Sequence, residues 1–309
     1  MSLFSRIASY IRNPARARRR LHLKQRITVT LPAGMSAEHF WLVSPLPAAT
    51  EHQEVDGAPV FNIDPTEVRI DPIYGNRYAA WRLSGAPGST NTIEATFTVD
   101  LQPTHLTLSD YTDTVFDENV APLYRQSNAY LCPNDARIQE VADTIVRHEP
   151  TVAERVRACN EYVKKRLTYG APIQGLYSAV QALELPAVDC GGYGTLLVSL
   201  LIACGIPARI VSGFWIDGKK NAMHAWVEAE VSPGVWLPLD PSVEELRAAG
   251  RTNKIGGVGE TGSDRLRMSA GCDLSLVVGN TTCTTDILQC PAVYPSKSGI
   301  TIEHHITTA

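Results

Sequence analysis

Three features are missing from this chain, and each absence removes a class of function. No two of its seven cysteines, at positions 132, 159, 190, 204, 272, 283 and 290, form a CxxC pair. Such pairs build zinc ribbons and thioredoxin-type centres, so neither is expected and no metal or cofactor is implied. The longest apolar run, Leu196 to Cys204, falls far short of the roughly 20 residues that span a bilayer. Positive charge is not in excess either. With a net charge of −4 and a pI of about 6.1, nothing draws the chain generally toward nucleic acid, and no nucleic-acid partner is expected. Scattered cysteines in odd number suit a reducing compartment, so the expectation is a cytoplasmic protein. A bridge among Cys272, Cys283 and Cys290 stays open at this level.

What is present is 44% apolar and 19% charged, which suits a globular protein with a sizeable core, and 309 residues accommodate two domains. Charge is unevenly placed. Residues 1–20 carry Arg6, Arg12, Arg16, Arg18, Arg19 and Arg20 and no acid. The plain reading is a solvated basic tail. Contact with a membrane surface through Leu3, Phe4, Ile7, Tyr10 and Ile11 ranks below it, since Pro14 would stop a helix early.

Beyond the tail the pattern is β. Leu21, Leu23, Ile27, Val29 and Leu31 alternate with His22, Lys24, Arg26, Thr28 and Thr30, and Ile93 to Leu101 repeats the period. Strand side chains point to opposite faces in turn, so both are half-buried strands. Shorter candidates at Phe40–Val43 and Ala79–Leu83, separated by turn residues, predict an antiparallel β-sandwich over 21–103. Residues 104–133 read as a connector.

From 134 onward the period becomes helical. Asn134 or Asp135 caps a helix carrying Ile138, Val141, Ala142 and Ile145, and Pro150 ends it. Thr151 and Glu154 form a capping box for a second helix, striped with Val152, Val156, Cys159, Val163 and Leu167. Cys190 to Cys204 makes a third helix with almost no polar face, so it must be buried on most sides; Gly205 stops it. Strands are expected at Arg209–Ile216, His224–Val231 and Val235–Leu239, with turns at Asp217-Gly218 and Pro233-Gly234. Residues 134–309 are thus expected to form an α+β domain with a C-terminal β extension.

Three residues at element ends carry the chemistry. Cys190 opens the buried helix, where partial positive charge and unpaired N–H groups favour a thiolate, and Gly191 and Gly192 would let substrate backbone approach. His224 begins a strand whose alternation puts His224, Trp226 and Glu228 on one face. Asp240 ends the next strand, within reach of His224, where a carboxylate would fix the imidazole tautomer. Singly, a buried cysteine, a structural histidine and a turn-starting aspartate are all common. Jointly they make a nucleophile, a base and an orienter.

Four blocks then carry a resemblance: Asp189-Cys190-Gly191-Gly192-Tyr193, Ala203 through Gly213, His224-Ala225-Trp226-Val227-Glu228, and Trp236 through Pro241. In this order and approximate spacing they resemble the transglutaminase-like superfamily core over about 134–242, in its bacterial cysteine protease or amidase form. The resemblance implies a papain-like α+β core in which Cys190 attacks, His224 relays the proton and Asp240 orients it. Val188 stands where members commonly carry Gly, which leaves the geometry of that loop open.

The expected function is therefore thiol-dependent acyl-enzyme catalysis on a peptide or protein amide, as a cysteine peptidase or amidase. A transglutaminase or other amide-forming acyltransferase shares the first half-reaction, and a non-enzymatic scaffold on the same fold is the third alternative. Hydrolysis is preferred because no calcium-loop motif is visible. The backbone N–H of Cys190 is one expected oxyanion donor, with Tyr169 or Gln174 as the second. Arg209 is read as an ion-pairing support and Trp226 as a shield or packing residue. His304-His305 lacks a third metal ligand, and Gly256-Gly257-Val258-Gly259 lacks the lysine of a phosphate loop.

Overall fold

The computed structural model describes residues 13–34, 37–111, 122–216, 221–296 and 299–309. Most of the basic tail and the Asp217-Gly218 turn lie outside the described residues; Pro14–Arg16 is a single 3-10 turn. Six strands come first: β1 (Arg19–Thr30), β2 (Ala37–Leu46), β3 (Gln53–Phe61), β4 (Glu67–Ile70), β5 (Arg77–Gly85) and β6 (Thr90–Leu101). After the short β7 (Thr104–His105) come helices α1 (Ala136–His148), α2 (Val152–Arg166), α3 (Ala179–Glu184) and α4 (Cys190–Ala203). Strands β8 (Ala208–Trp215), β9 (Met223–Ser232) and β10 (Val235–Leu239) precede α5 (Pro241–Ala248) and the short β11 (Gly256–Gly257) and β12 (Glu260–Thr261). Last come β13 (Arg265–Ala270), β14 (Leu274–Val278), β15 (Thr281–Thr285), β16 (Ala292–Tyr294) and β17 (Thr301–Thr308).

The chain divides into two compact units. One holds Arg20–Leu101, Ser212–Met223 and Asp264–Ala309. Its two four-stranded sheets run β17-β1-β6-β3 and β16-β2-β5-β4. The apolar phase of β1 (Ile27, Val29, Leu31) meets Phe40, Leu42, Trp81 and Ile93 in the core of this sandwich, as its alternation requires. Gln25 breaks that phase: it is buried, and its amide donates to Ser44 Oγ at 3.0 Å.

The sandwich expected over 21–103 is incomplete without the end of the chain. Leu23–Thr30 of β1 pairs antiparallel with Thr308–Thr301, and β16 pairs with β2. Residues from Asp264 on therefore belong with the sandwich, not with the unit that holds the helices, which corrects the expected boundary at 134–309. The reason is backbone saturation: without β17, one edge of β1 would present unpaired N–H and C=O groups.

The other unit holds the described residues up to Arg19, Gln102–Val211 and His224–Ser263. Thr151 and Glu154 form the expected capping box of α2. Helix α4 is buried from Gly191 to Ile202 and packs against α1, α2 and α3. Its close approach to β8 depends on Gly194, where a Cβ would stand 2.9 Å from Ile210 Cδ1. The glycines beside Cys190 serve the same end. A Cβ at Gly191 would meet Leu176 at 2.8 Å, and one at Gly192 would meet Val188 Cβ at 2.7 Å. Space expected for substrate backbone is taken up by the chain's own side chains, and Val188 is matched by a glycine four residues on.

Candidate active site

Cys190 is the first residue of α4 and is half-buried. The cap before it is Asp189, whose Oδ1 accepts from the backbone N–H of Gly191 at 3.0 Å and Gly192 at 3.2 Å. A carboxylate at a helix N-terminus answers both the unpaired N–H groups and the dipole. It also places negative charge beside the sulfur. Burial and then the Asp189 charge push the Cys190 thiol up to about 12, while the backbone N–H groups of Ala225 and Gly191 pull it the other way. The helix terminus therefore does not by itself favour a thiolate, contrary to expectation, because burial and the Asp189 charge outweigh the pull of the N–H groups.

His224 is 3% exposed and Asp240 1% exposed. Strands β9 and β10 pair antiparallel with Leu239 opposite Val227. One further step of that register sets Asp240 across from Trp226, a diagonal neighbour of His224 on the same face. The imidazole Nε2 and Asp240 Oδ2 lie 2.7 Å apart. Asp240 is also the N-cap of α5, its Oδ1 accepting from Ser242 Oγ at 2.8 Å and from the N–H of Val243 at 3.1 Å. Both oxygens are thus engaged, and the carboxylate has one orientation. Asp240 thus caps a helix and contacts His224 at once.

Trp226 is buried and stacks on His224, ring centroids 6.2 Å apart and planes 19° apart. Arg209 pairs with Glu228 at 2.7 Å and lies 3.7 Å over the Trp236 ring, so it braces β8 against β9 and β10 as expected.

Thr168–Gly170 runs beside the residue two before the nucleophile: Gly170 N–H donates to Val188 O at 3.0 Å and Val188 N–H to Thr168 O at 3.1 Å. This pairing brings the half-buried Tyr169 to the site, where its hydroxyl comes within reach of the Cys190 sulfur. Burial and the charge of the Cys190 thiolate push the Tyr169 hydroxyl up, so it stays a donor. Gln174 is exposed. Residues that the sequence reading missed are Asp189 as the cap and Glu245 behind Tyr169. The first was legible as an aspartate directly before an apolar helix.

All seven cysteines are free, so no bridge joins Cys272, Cys283 and Cys290. His304 belongs to the sandwich, where burial lowers it to about 4. Among the described residues no group of three or more His, Cys, Asp or Glu side chains forms a metal-holding cluster, and no helix is long and apolar enough to cross a membrane.

This arrangement, an α+β core with a cysteine-headed buried helix beside a histidine strand, defines a class. Residues 139–241, about a third of the chain, match the model of the transglutaminase-like superfamily. No curated protein matches the chain. Among solved structures, it is similar to a candidate cysteine protease from Cytophaga hutchinsonii, over 94% of this chain and 90% of that one, at 16% identity and a TM-score of 0.65. At that identity the likeness concerns the fold. The periplasmic domain of TgpA from Pseudomonas aeruginosa is similar over 80% of this chain and 94% of that one, at 15% identity and a TM-score of 0.41.

Proposed function

We propose that this protein is a cysteine peptidase or amidase acting on a peptide or protein amide, with Cys190, His224 and Asp240 as nucleophile, base and orienter. One observation carries the reading: the 2.7 Å contact between two buried side chains, His224 Nε2 and Asp240 Oδ2. With Nε2 held by the carboxylate, Nδ1 is the nitrogen that exchanges a proton with the thiol. A thiol pushed up to about 12 is neutral at pH 7, so the base is needed; a preformed thiolate is not assumed.

The Cys190 proton passes to His224 while the sulfur bonds to the carbonyl carbon, and the C=O π electrons move onto oxygen. The Cys190 backbone N–H and the Tyr169 hydroxyl stabilise that oxyanion; Tyr169 is preferred to Gln174 because it reaches the sulfur. Collapse expels the amine, which takes the imidazolium proton, and leaves a thioester. Water then gives its proton to His224 as its oxygen bonds to the acyl carbon, and the thiol leaves reprotonated. Asp240 stabilises the imidazolium in both halves without taking the proton. The seven free cysteines support a cytoplasmic setting for such an enzyme.

Turnover of a peptide library by wild type and Cys190→Ala tests the mechanism; equal turnover overturns it. A glutamine peptide with a labelled amine separates hydrolysis from acyl transfer, since incorporation without free acid assigns the chain to transfer. Alkylation of all seven cysteines at one rate would favour a scaffold without catalysis.

A further inference from the structure

Helix α5 touches the site twice. Its cap, Asp240, holds His224, and one turn further on Glu245 reaches Tyr169 and Tyr193. Glu245 Oε1 accepts from the backbone N–H of Tyr169 at 3.3 Å, and its Oε2 accepts from the buried Tyr193 hydroxyl. The Tyr169 and Tyr193 rings lie 6.1 Å apart, centroid to centroid. Helix α5 is itself anchored, since Asn160 of α2 donates to Glu244 Oε2 at 2.7 Å. Tyr193 sits on α4 three residues after Cys190. A single carboxylate therefore ties the Tyr169 segment to the helix that carries the nucleophile.

We propose that Glu245 is a positioning residue that holds the Tyr169 hydroxyl over the Cys190 sulfur, where it donates to the sulfur as negative charge builds there during proton transfer to His224, before that charge passes to the carbonyl oxygen. The inference rests on the reading of Cys190 as nucleophile. It assigns Glu245 no contact with substrate. Without its two bonds the Tyr169 segment keeps its pairing to Val188 but loses the link that sets the ring at a fixed distance from α4. A hydrogen bond to a charged acceptor is stronger than one between neutral groups, so the hydroxyl matters most in the ionised state.

The test is the pH dependence of Cys190 alkylation by iodoacetamide, resolved from the other cysteines by peptide mass spectrometry, in the full chain. Tyr169→Phe is expected to slow Cys190 labelling on the order of tenfold at a fixed pH below the midpoint, the effect of losing one charge-assisted bond, and to move the profile to higher pH. Glu245→Ala should reproduce that shift, the double variant should add nothing, and Glu245→Gln should restore the wild-type profile, because its amide oxygen still accepts from the Tyr169 N–H while its NH2 donates to the Tyr193 hydroxyl oxygen. A Glu245→Ala profile that superimposes on wild type, or a double variant whose effects add, overturns the proposal. A merely loosened fold gives a different signature: Cys159 and Cys204 label faster along with Cys190, and that result also overturns it. If Glu245→Ala does not fold, Tyr193→Phe removes one anchor; labelling intermediate between wild type and Tyr169→Phe supports the role, and unchanged labelling refutes it. Equal labelling of all seven wild-type cysteines would instead sink the proposed function, while the comparison among variants still decides Glu245.

Discussion

The two ends of α4 carry the same side chain in opposite settings. At the N-terminal end, Cys190 meets backbone N–H groups, an aspartate cap and the histidine strand. At the C-terminal end, Cys204 is 3% exposed and its sulfur lies 3.7 Å from that of Cys159, which is itself fully buried. Contact with Cys204 and then burial push the Cys159 thiol up. A helix dipole favours an anion at its start and opposes one at its end, so a thiol at the C-terminal end behaves as a small hydrophobe. Yet the thiol at the start is held up, by burial and Asp189, whereas contact with Cys159 lowers Cys204. Position on a helix prepares a cysteine for chemistry; a base beside it is still required.

The largest expected effect would break that contrast outright. Cys190→Ala should abolish turnover while Cys204→Ala leaves kcat/KM within a few-fold of wild type, measured on one peptide substrate. Next comes Asp240, which should matter twice. Asp240→Ala is expected to lower kcat on the order of 10³-fold by releasing the imidazole, and to cost on the order of 1 kcal/mol in urea unfolding by removing a helix cap. Asp240→Asn keeps a cap and should recover the stability first, which separates the two roles.

A smaller effect concerns how tightly the N-terminal end is packed. Gly192→Ala would set a Cβ 2.7 Å from Val188 Cβ, and overpacking of this kind costs about 1–3 kcal/mol by denaturant midpoint. Val188→Gly in the same chain should relieve most of the clash. The smallest effect is a slope. Cys190 titrates near 12 when folded, against an ordinary value of 9.0, so the native state keeps its proton while the unfolded chain loses it. This stabilising contribution is whole below about pH 9 and is lost as pH rises toward 12. Melting temperatures between pH 8 and 11 should therefore fall more steeply for wild type than for Cys190→Ala; parallel curves would mean the thiol is not held up.

Much of the N-terminal end of α4 was legible in one dimension. An unbroken apolar stretch between a capping aspartate and Gly205 can only be a buried helix, and a capping box such as Thr151–Glu154 is a local signal. The α+β class followed from the switch between two-residue and helical periods. Other parts were not legible. Periodicity places Asp240 at the end of a strand and leaves α5 itself unassigned, although Asp240-Pro241 has the form of a cap followed by proline at the first helical position. Glu245 carried no local signal, because its partners Tyr169 and Tyr193 stand 76 and 52 residues away. The tail is expected to be β, but the pairing of β17 is illegible for a similar reason: Ile302 and Ile306 are its few apolar residues, and its place is decided by what β1 lacks.

By itself, then, the amino-acid order determined where helices and strands form, which of them are buried and which side chains stand at their ends, since these depend on periodicity and caps within a few residues. Only the tertiary structure decided that a carboxylate meets an imidazole at 2.7 Å, that glycines beside the thiol admit neighbouring side chains, and that the last strand closes the first sheet. Those outcomes depend on distance and steric fit between segments far apart in the chain, which no local pattern encodes.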